Sequence, residues 1–284
     1  MSNRYTIMGG IVGDIAGSRF EFAPHRSKDF ELLVMGKNYL STKQTLEEFK
    51  TTCRFTDDTV MTVAIANALL EANSDNSNLR ELAIDNMRKL GKKYPFAGYG
   101  AKFSRWLTLP IVEPYNSFGN GSAMRISAVP YFAKNLDEVK ELSRIVTEVT
   151  HNHPEGIKGA EAVAVCIWLA LNGYEKDYIK EFVEKNYYSL DYDYENLVNT
   201  YIHDESCQNS VPQSIFAFII SSDYEDTIRT AISMGGDADT MACIAGAIAT
   251  AYYGIPEDLE EKGLEFLTPD LREIVEKFNE RIKR

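Results

Sequence analysis

The sequence predicts an all-α, single-domain orthogonal helical bundle covering residues 1–284. Three observations predict it. Apolar residues recur at helical spacing in segment after segment, with a loop between each pair. Alternating strand patterns are scarce, and 30–35 is the best short candidate. No repeat or low-complexity linker divides the chain, and 44% hydrophobic residues supply enough apolar surface for a large core.

The elements follow in order. Residues 60–71 (VMTVAIANALLE) are good helix formers and apolar on nearly every side, so this helix is expected to be buried. Residues 79–93 are amphipathic, with Leu79, Leu82, Ala83, Met87 and Leu90 on one face. Residues 137–149 open on an Asp that suits a cap and place Val139, Leu142, Ile145, Val146 and Val149 at helical spacing. Residues 157–171 form a long Ala-rich helix that Gly173 would end. Segments 177–186, 211–220, 224–233, 240–253 and 269–283 complete the set. The intervening loops at 22–56, 94–122 and 187–210 are long, and such loops in a compact domain tend to carry function.

Charge narrows the function classes. A formal net charge of −12 excludes a protein that binds nucleic acid non-specifically through a basic face. It also means that any phosphate must be received by local cations or backbone N–H groups. The stretch 1–17 contains Asp14 and lacks the basic start of a signal peptide. The run 241–253 is too short and too rich in Ala and Thr to span a bilayer. Cytoplasmic residence is therefore expected, as a monomer. Cys53, Cys166, Cys207 and Cys243 show no CxxC spacing. Cys166 and Cys243 sit in apolar helical runs, where a reduced, buried thiol is expected.

Two acidic clusters each open a very apolar helix: Thr56-Asp57-Asp58-Thr59 and Gly235-Gly236-Asp237-Ala238-Asp239-Thr240. Asp and Thr are good N-caps, and acids favour the positive end of a helix dipole. One carboxylate per helix satisfies that need, however, and unpaired charges beside a core cost several kcal/mol each. A hard divalent cation accounts for the excess, because Mg²⁺ or Mn²⁺ prefers carboxylate, hydroxyl and water oxygens. Four carboxylates with the hydroxyls of Thr56 and Thr240 suit two ions sharing a bridging carboxylate.

Two loops stand beside these clusters. Residues 116–125 (NSFGNGSAMR) are rich in Gly, Asn and Ser ahead of a possible helix. Such a stretch is either an ordinary turn capped by Ser122 or a nest of N–H groups for phosphate oxygens. Arg125 is either a phosphate clamp or a structural donor. Residues 150–156 (THNHPEG) hold His151 and His153. No third soft ligand is near, which disfavours zinc and favours ligand binding or loop fixing. Glu21, an exposed acid by default, becomes a candidate general acid or base beside a metal-bound water.

Taken together, GDIAGSRFE (13–21), TDDT (56–59), SFGNGSAMR (117–125), THNHPEG (150–156) and GGDADTMACIAGAI (235–248) resemble the ADP-ribosylglycohydrolase family in order and along nearly the whole chain. The resemblance implies an all-α fold and a binuclear Mg²⁺ or Mn²⁺ centre. Thr56, Asp57 and Asp58 would hold one ion. Asp237, Asp239 and Thr240 would hold the other, with Asp239 as the bridge and Asp57 and Asp239 counted as catalytic. Glu21 matches an essential acid on a mobile segment. Ser117, Gly119, Asn120 and Gly121 match a pyrophosphate loop, with Ser122 counted beside them, and His151 matches a histidine near ADP-ribose. Phe118, Tyr99 and Tyr115, in that order, are the candidates for stacking on adenine. The implied activity is release of ADP-ribose from a modified protein or small molecule, with an arginine-linked acceptor slightly favoured. A two-metal nucleotide phosphohydrolase and a non-catalytic ADP-ribose- or toxin-binding protein are the alternatives.

Overall fold

The computed structural model describes residues 3–36 and 45–283. Its α-helices run in the order α1 (Met8–Gly17), α2 (Leu46–Thr51), α3 (Asp57–Glu71), α4 (Leu79–Lys93), α5 (Ala101–Thr108), α6 (Leu136–Thr147) and α7 (Pro154–Leu171). They continue as α8 (Lys176–Asn186), α9 (Tyr194–Thr200), α10 (Cys207–Ile220), α11 (Tyr224–Ser233), α12 (Ala238–Tyr253), α13 (Glu257–Glu265) and α14 (Pro269–Ile282). The fold is all-helical. The described residues contain isolated bridges only, one of them joining Met35 to Cys53, so 30–35 is extended chain rather than a strand.

Helix α12 is the axis of the core. Every residue from Ala238 to Ala251 is buried, as an all-round apolar helix must be. Helices α1, α7, α10 and α11 pack on it, while α3 packs between α4 and α14. The closest pairing is α1 against α12, antiparallel, and glycine makes it possible. Gly9, Gly13 and Gly17 are spaced by four and share one face. A Cβ on Gly13 would lie 2.1 Å from the Ala242 carbonyl oxygen, and one on Gly17 would lie 2.5 Å from that of Ala238. The C-terminal end of α1 is thereby pressed onto the N-terminal end of α12. Gly13→Ala must push backbone away from backbone. It should cost about 1–3 kcal/mol or more by urea unfolding. A cost below half that range would show that the helices separate freely.

Local capping differs from expectation at two helices. Asn135, not Asp137, caps α6, its side chain accepting from the Glu138 amide at 2.9 Å. Helix α7 begins at Pro154, and the His153 ring Nδ1 accepts from the Glu155 amide at 3.1 Å. His153 thus fixes the loop. Gly173, at φ +78°, follows the end of α7 as expected. The long loops contain short helices, α2 in 22–56, α5 in 94–122 and α9 in 187–210. All four cysteines are free and buried. No described helix is long and apolar enough to cross a membrane.

Candidate active site

The α1–α12 pairing carries Asp14 and the turn after α1 to the start of α12, and α3 delivers its own first turn to the same point. Asp14 is fully buried in α1. Its carboxylate accepts from the Thr56 amide at 2.9 Å, the Thr56 hydroxyl at 2.6 Å, the Thr59 amide at 3.1 Å and the Thr59 hydroxyl. An acid from another helix therefore satisfies the first-turn donors of α3. The N-cap of α3 is Thr56, whose hydroxyl accepts from the Asp58 amide at 3.3 Å.

Asp57 and Asp58 are consequently free of capping duty. Asp58 is 2% exposed. Its Oδ2 accepts from the Thr240 hydroxyl at 3.1 Å and the Thr56 hydroxyl at 3.3 Å, which ties the two acidic motifs together. Its Oδ1 is buried without any hydrogen-bond partner. At α12 the N-cap position is Asp237, yet its side chain makes no cap bond. It accepts instead from the Asn120 side-chain amide at 2.7 Å. Paired N-capping thus fails to explain either doublet.

One oxygen each from Asp14, Asp58 and Asp239 lie within 4.8 Å of one another, and so do single oxygens of Glu21, Asp237 and Asp239. Asp239 is common to both groups. Burial is the main force pushing these acids upward, with neighbouring carboxylates second. It raises Asp57 to about 8, and Asp58 and Asp239 well above the usual carboxylate range. Burial pushes Asp237 up to about 7, with its hydrogen bonds to Asp239 and then Asn120 opposing the rise. Glu21 is pushed to about 8 by burial and then by Asp239. Arg54 interacts with the charges of Asp239, Glu21 and Asp14, but its guanidinium donates to the Phe49 and Ser18 carbonyls, both at 3.0 Å. A clustered set of buried oxygens, one of them an orphan, fits hard divalent cations.

The cluster forms the floor of a cleft of about 370 Å³, a size that suits a small ligand. Glu21, Asp57, Asp58, Asp237, Asp239 and Thr240 line it, as do Ser117, Gly119, Asn120, Gly121 and His151. Thr56 lies just beneath. Phe118, Tyr99 and Ser122 lie off the wall. The Phe118 ring packs on His153 at 5.3 Å, Tyr99 packs on Phe103 at 5.4 Å, and the Ser122 hydroxyl donates to the Gly156 carbonyl at 2.8 Å. Tyr115 is the aromatic of the three stacking candidates that faces the cleft. In the 117–121 loop the Gly119 amide is taken by the Ser117 hydroxyl at 3.2 Å and the Asn120 amide by the Glu205 carbonyl at 2.7 Å. The nest therefore has fewer free donors than its sequence suggests.

Several residues of the site escaped the sequence reading. Asp14 had one available signal, as the only charge in an otherwise uncharged helix. Phe22, 70% exposed, stands at the rim with Glu205, and Lys102 at the start of α5 lines the cleft too. These rim residues sit in loops and at a short helix end with no local pattern. Arg26 ties the segment after Glu21 to the end of α9 and to the turn that leads into α12, donating to the carbonyls of Val198 at 2.9 Å, Tyr201 at 2.6 Å and Met234.

The profile of the ADP-ribosylglycohydrolase family matches residues 3–284. The chain is 28% identical to mouse ADP-ribosylhydrolase ARH3, over 74% of this chain and 73% of that one. It is 26% identical to the human ADP-ribosylhydrolase ARH3, over 91% and 88%. An uncharacterised protein of Archaeoglobus fulgidus is 30% identical over 75% and 77%. In three dimensions the chain superposes on a member of an ADP-ribosylglycohydrolase-related protein complex with a TM-score of 0.69 and 22% identity. The superposition covers 98% of this chain and 96% of that one, a likeness of fold.

Proposed function

This chain belongs to the ADP-ribosylglycohydrolase family, and from that premise we propose that it hydrolyses the glycosidic bond between ADP-ribose and an acceptor at a site served by two Mg²⁺ or Mn²⁺ ions. The observation that carries the reading is the pair of carboxylate triplets sharing Asp239, one of which contains Asp58 with its orphaned Oδ1. Asp14, Asp58 and Asp239 with Thr56 and Thr240 would hold one ion, and Asp237 and Asp239 the second, with Asp57 beside them on the cleft floor. When bound, such ions supply charge that orients ribose hydroxyls and lowers the pKa of water.

The chain's own residues do the rest. Ser117, Gly119, Asn120, Gly121 and His151 hold the diphosphate, so that the anomeric carbon sits over the acids. The ionised carboxylates oppose the positive charge that grows on the sugar as the bond breaks. A water adds to the anomeric carbon as the bond to the acceptor breaks, and Glu21 takes the proton from that water and returns one to the departing acceptor. Burial and Asp239 raise Glu21 to about 8 in the metal-free chain, and its place in the cleft beside Asp237 and Asp239 makes it the acid positioned to take and return a proton. The products are ADP-ribose and the freed acceptor. The rim favours a cationic, arginine-type acceptor, because Glu21, Glu205 and the exposed face of Phe22 gather there. The substrate is a modified protein or small molecule, and the enzyme works as a cytoplasmic monomer.

Arginine-, serine- and carboxylate-linked ADP-ribose substrates, assayed with and without chelator, test the reading. Free ADP-ribose should appear from the arginine-linked substrate and vanish with chelator. Phosphate release without ADP-ribose would replace this function with a phosphohydrolase. Glu21→Ala should lower turnover by at least a hundredfold, the scale of a lost general acid or base. ADP-ribose affinity, read by calorimetry, should stay within a few-fold. Unchanged turnover on every substrate would remove Glu21 from the chemistry.

A further inference from the structure

Behind the diphosphate loop lies a buried chain of three polar side chains, of which the proposed reaction uses only His151 directly. Arg125, Thr150 and His151 are 1%, 0% and 5% exposed. The Arg125 Nη2 donates to the Thr150 hydroxyl oxygen at 2.8 Å, and that oxygen lies 2.7 Å from His151 Nδ1. The roles follow from proton counting. A guanidinium only donates, and a threonine hydroxyl carries one proton. Among the described residues the Thr150 hydroxyl has no other acceptor within reach, so its proton goes to Nδ1. A ring nitrogen that accepts carries no hydrogen of its own, and the proton of the neutral ring must sit on Nε2.

The Nε2 atom faces the loop. A Cβ on Gly121 would lie 3.4 Å from it, and one on Gly119 3.8 Å. It has no hydrogen-bond partner among the described residues.

We propose that Arg125 and Thr150 are positioning residues that fix His151 in the Nε2–H form, a neutral donor aimed at the anionic oxygens of a ligand lying on the 119–121 loop. The more familiar arrangement, a carboxylate behind a histidine, would set the opposite tautomer and turn a lone pair toward the ligand, which repels phosphate. A cation behind a hydroxyl reverses the polarity. No carboxylate pairs with Arg125 among the described residues, and its charge together with burial holds His151 well below its usual value. The ligand half of the proposal rests on the functional reading above. The tautomer half does not.

The test is long-range ¹H–¹⁵N correlation on the full-length, ligand-free chain with labelled histidine. The His151 signals are assigned by their loss in His151→Asn. The expected pattern is a protonated Nε2 and a bare Nδ1. Thr150→Val should abolish that single pattern and weaken ADP-ribose binding about tenfold, the scale of one hydrogen bond to a charged group. Thr150→Ser should restore both. If Thr150→Val does not fold, the parent spectrum and Thr150→Ser decide. A bare Nε2 in a parent that binds ADP-ribose overturns the relay alone. A correct tautomer in a parent that fails to bind ADP-ribose overturns the ligand half and the functional reading together.

Discussion

Asp239→Ala should abolish turnover, by a thousandfold or more, and abolish Mg²⁺ or Mn²⁺ binding with it. Asp239 is the one side chain present in both carboxylate triplets, so no other single change removes an oxygen from each. Two readouts separate this outcome from simple unfolding. Calorimetric titration with Mn²⁺ should lose its heat. The metal-free variant should still unfold cooperatively in urea, because burial and Asp237 hold Asp239 protonated in the metal-free parent, where it makes no ion pair. A variant that keeps metal affinity and turnover would show that the two triplets do not act as one centre. Asp57→Ala should also lose turnover, but Asp57 lies outside both triplets and its loss of metal affinity should be smaller.

The second large effect is structural. Asp14→Ala leaves two backbone amides and the Thr59 hydroxyl at the start of α3 with nothing to donate to, while the Thr56 hydroxyl keeps Asp58 Oδ2 at 3.3 Å. Each stranded donor costs on the order of 1–3 kcal/mol, and water entering the gap recovers part of the loss. An overall cost of about 3–5 kcal/mol is expected from urea unfolding, near the usual penalty for breaking a buried charged network. Asp14→Asn keeps one acceptor oxygen and should lose less stability than Asp14→Ala. It should still lose metal affinity, since a neutral amide holds a divalent cation poorly. A cost below about 1 kcal/mol for Asp14→Ala would mean that the first turn of α3 finds other acceptors.

How much of this was legible depends on where the determining contacts lie. Helices α4 and α11 begin and end where the periodicity puts them, at 79–93 and 224–233, because their amphipathic stripes and flanking loops are local facts. The two acidic doublets could be read as a meeting point because each exceeds what a helix cap requires. Helix α1 could not be read as confidently. Four glycines in ten residues argue against a helix by propensity, and tertiary pressure from α12 overrides that. The caps of α6 show the limit of single residues. Asn135 and Asp137 are both good capping types, and only the turn preceding the helix selects between them. Helices α2, α5 and α9 are each eight residues or fewer, too short for a periodic signal. The rim residues Phe22, Lys102 and Glu205 reach the cleft through loop trajectories that no local pattern encodes.

The glycine-mediated contact of α1 with α12 has a consequence for biosynthesis. The first helix leaves the ribosome with its partner still untranslated by more than two hundred residues, a wait of roughly 10–50 s at ordinary elongation rates. Throughout that interval an apolar, glycine-rich segment has no surface to rest on, and Asp14 holds an α3 that cannot yet anchor. The floor of the cleft closes only once α12 has emerged.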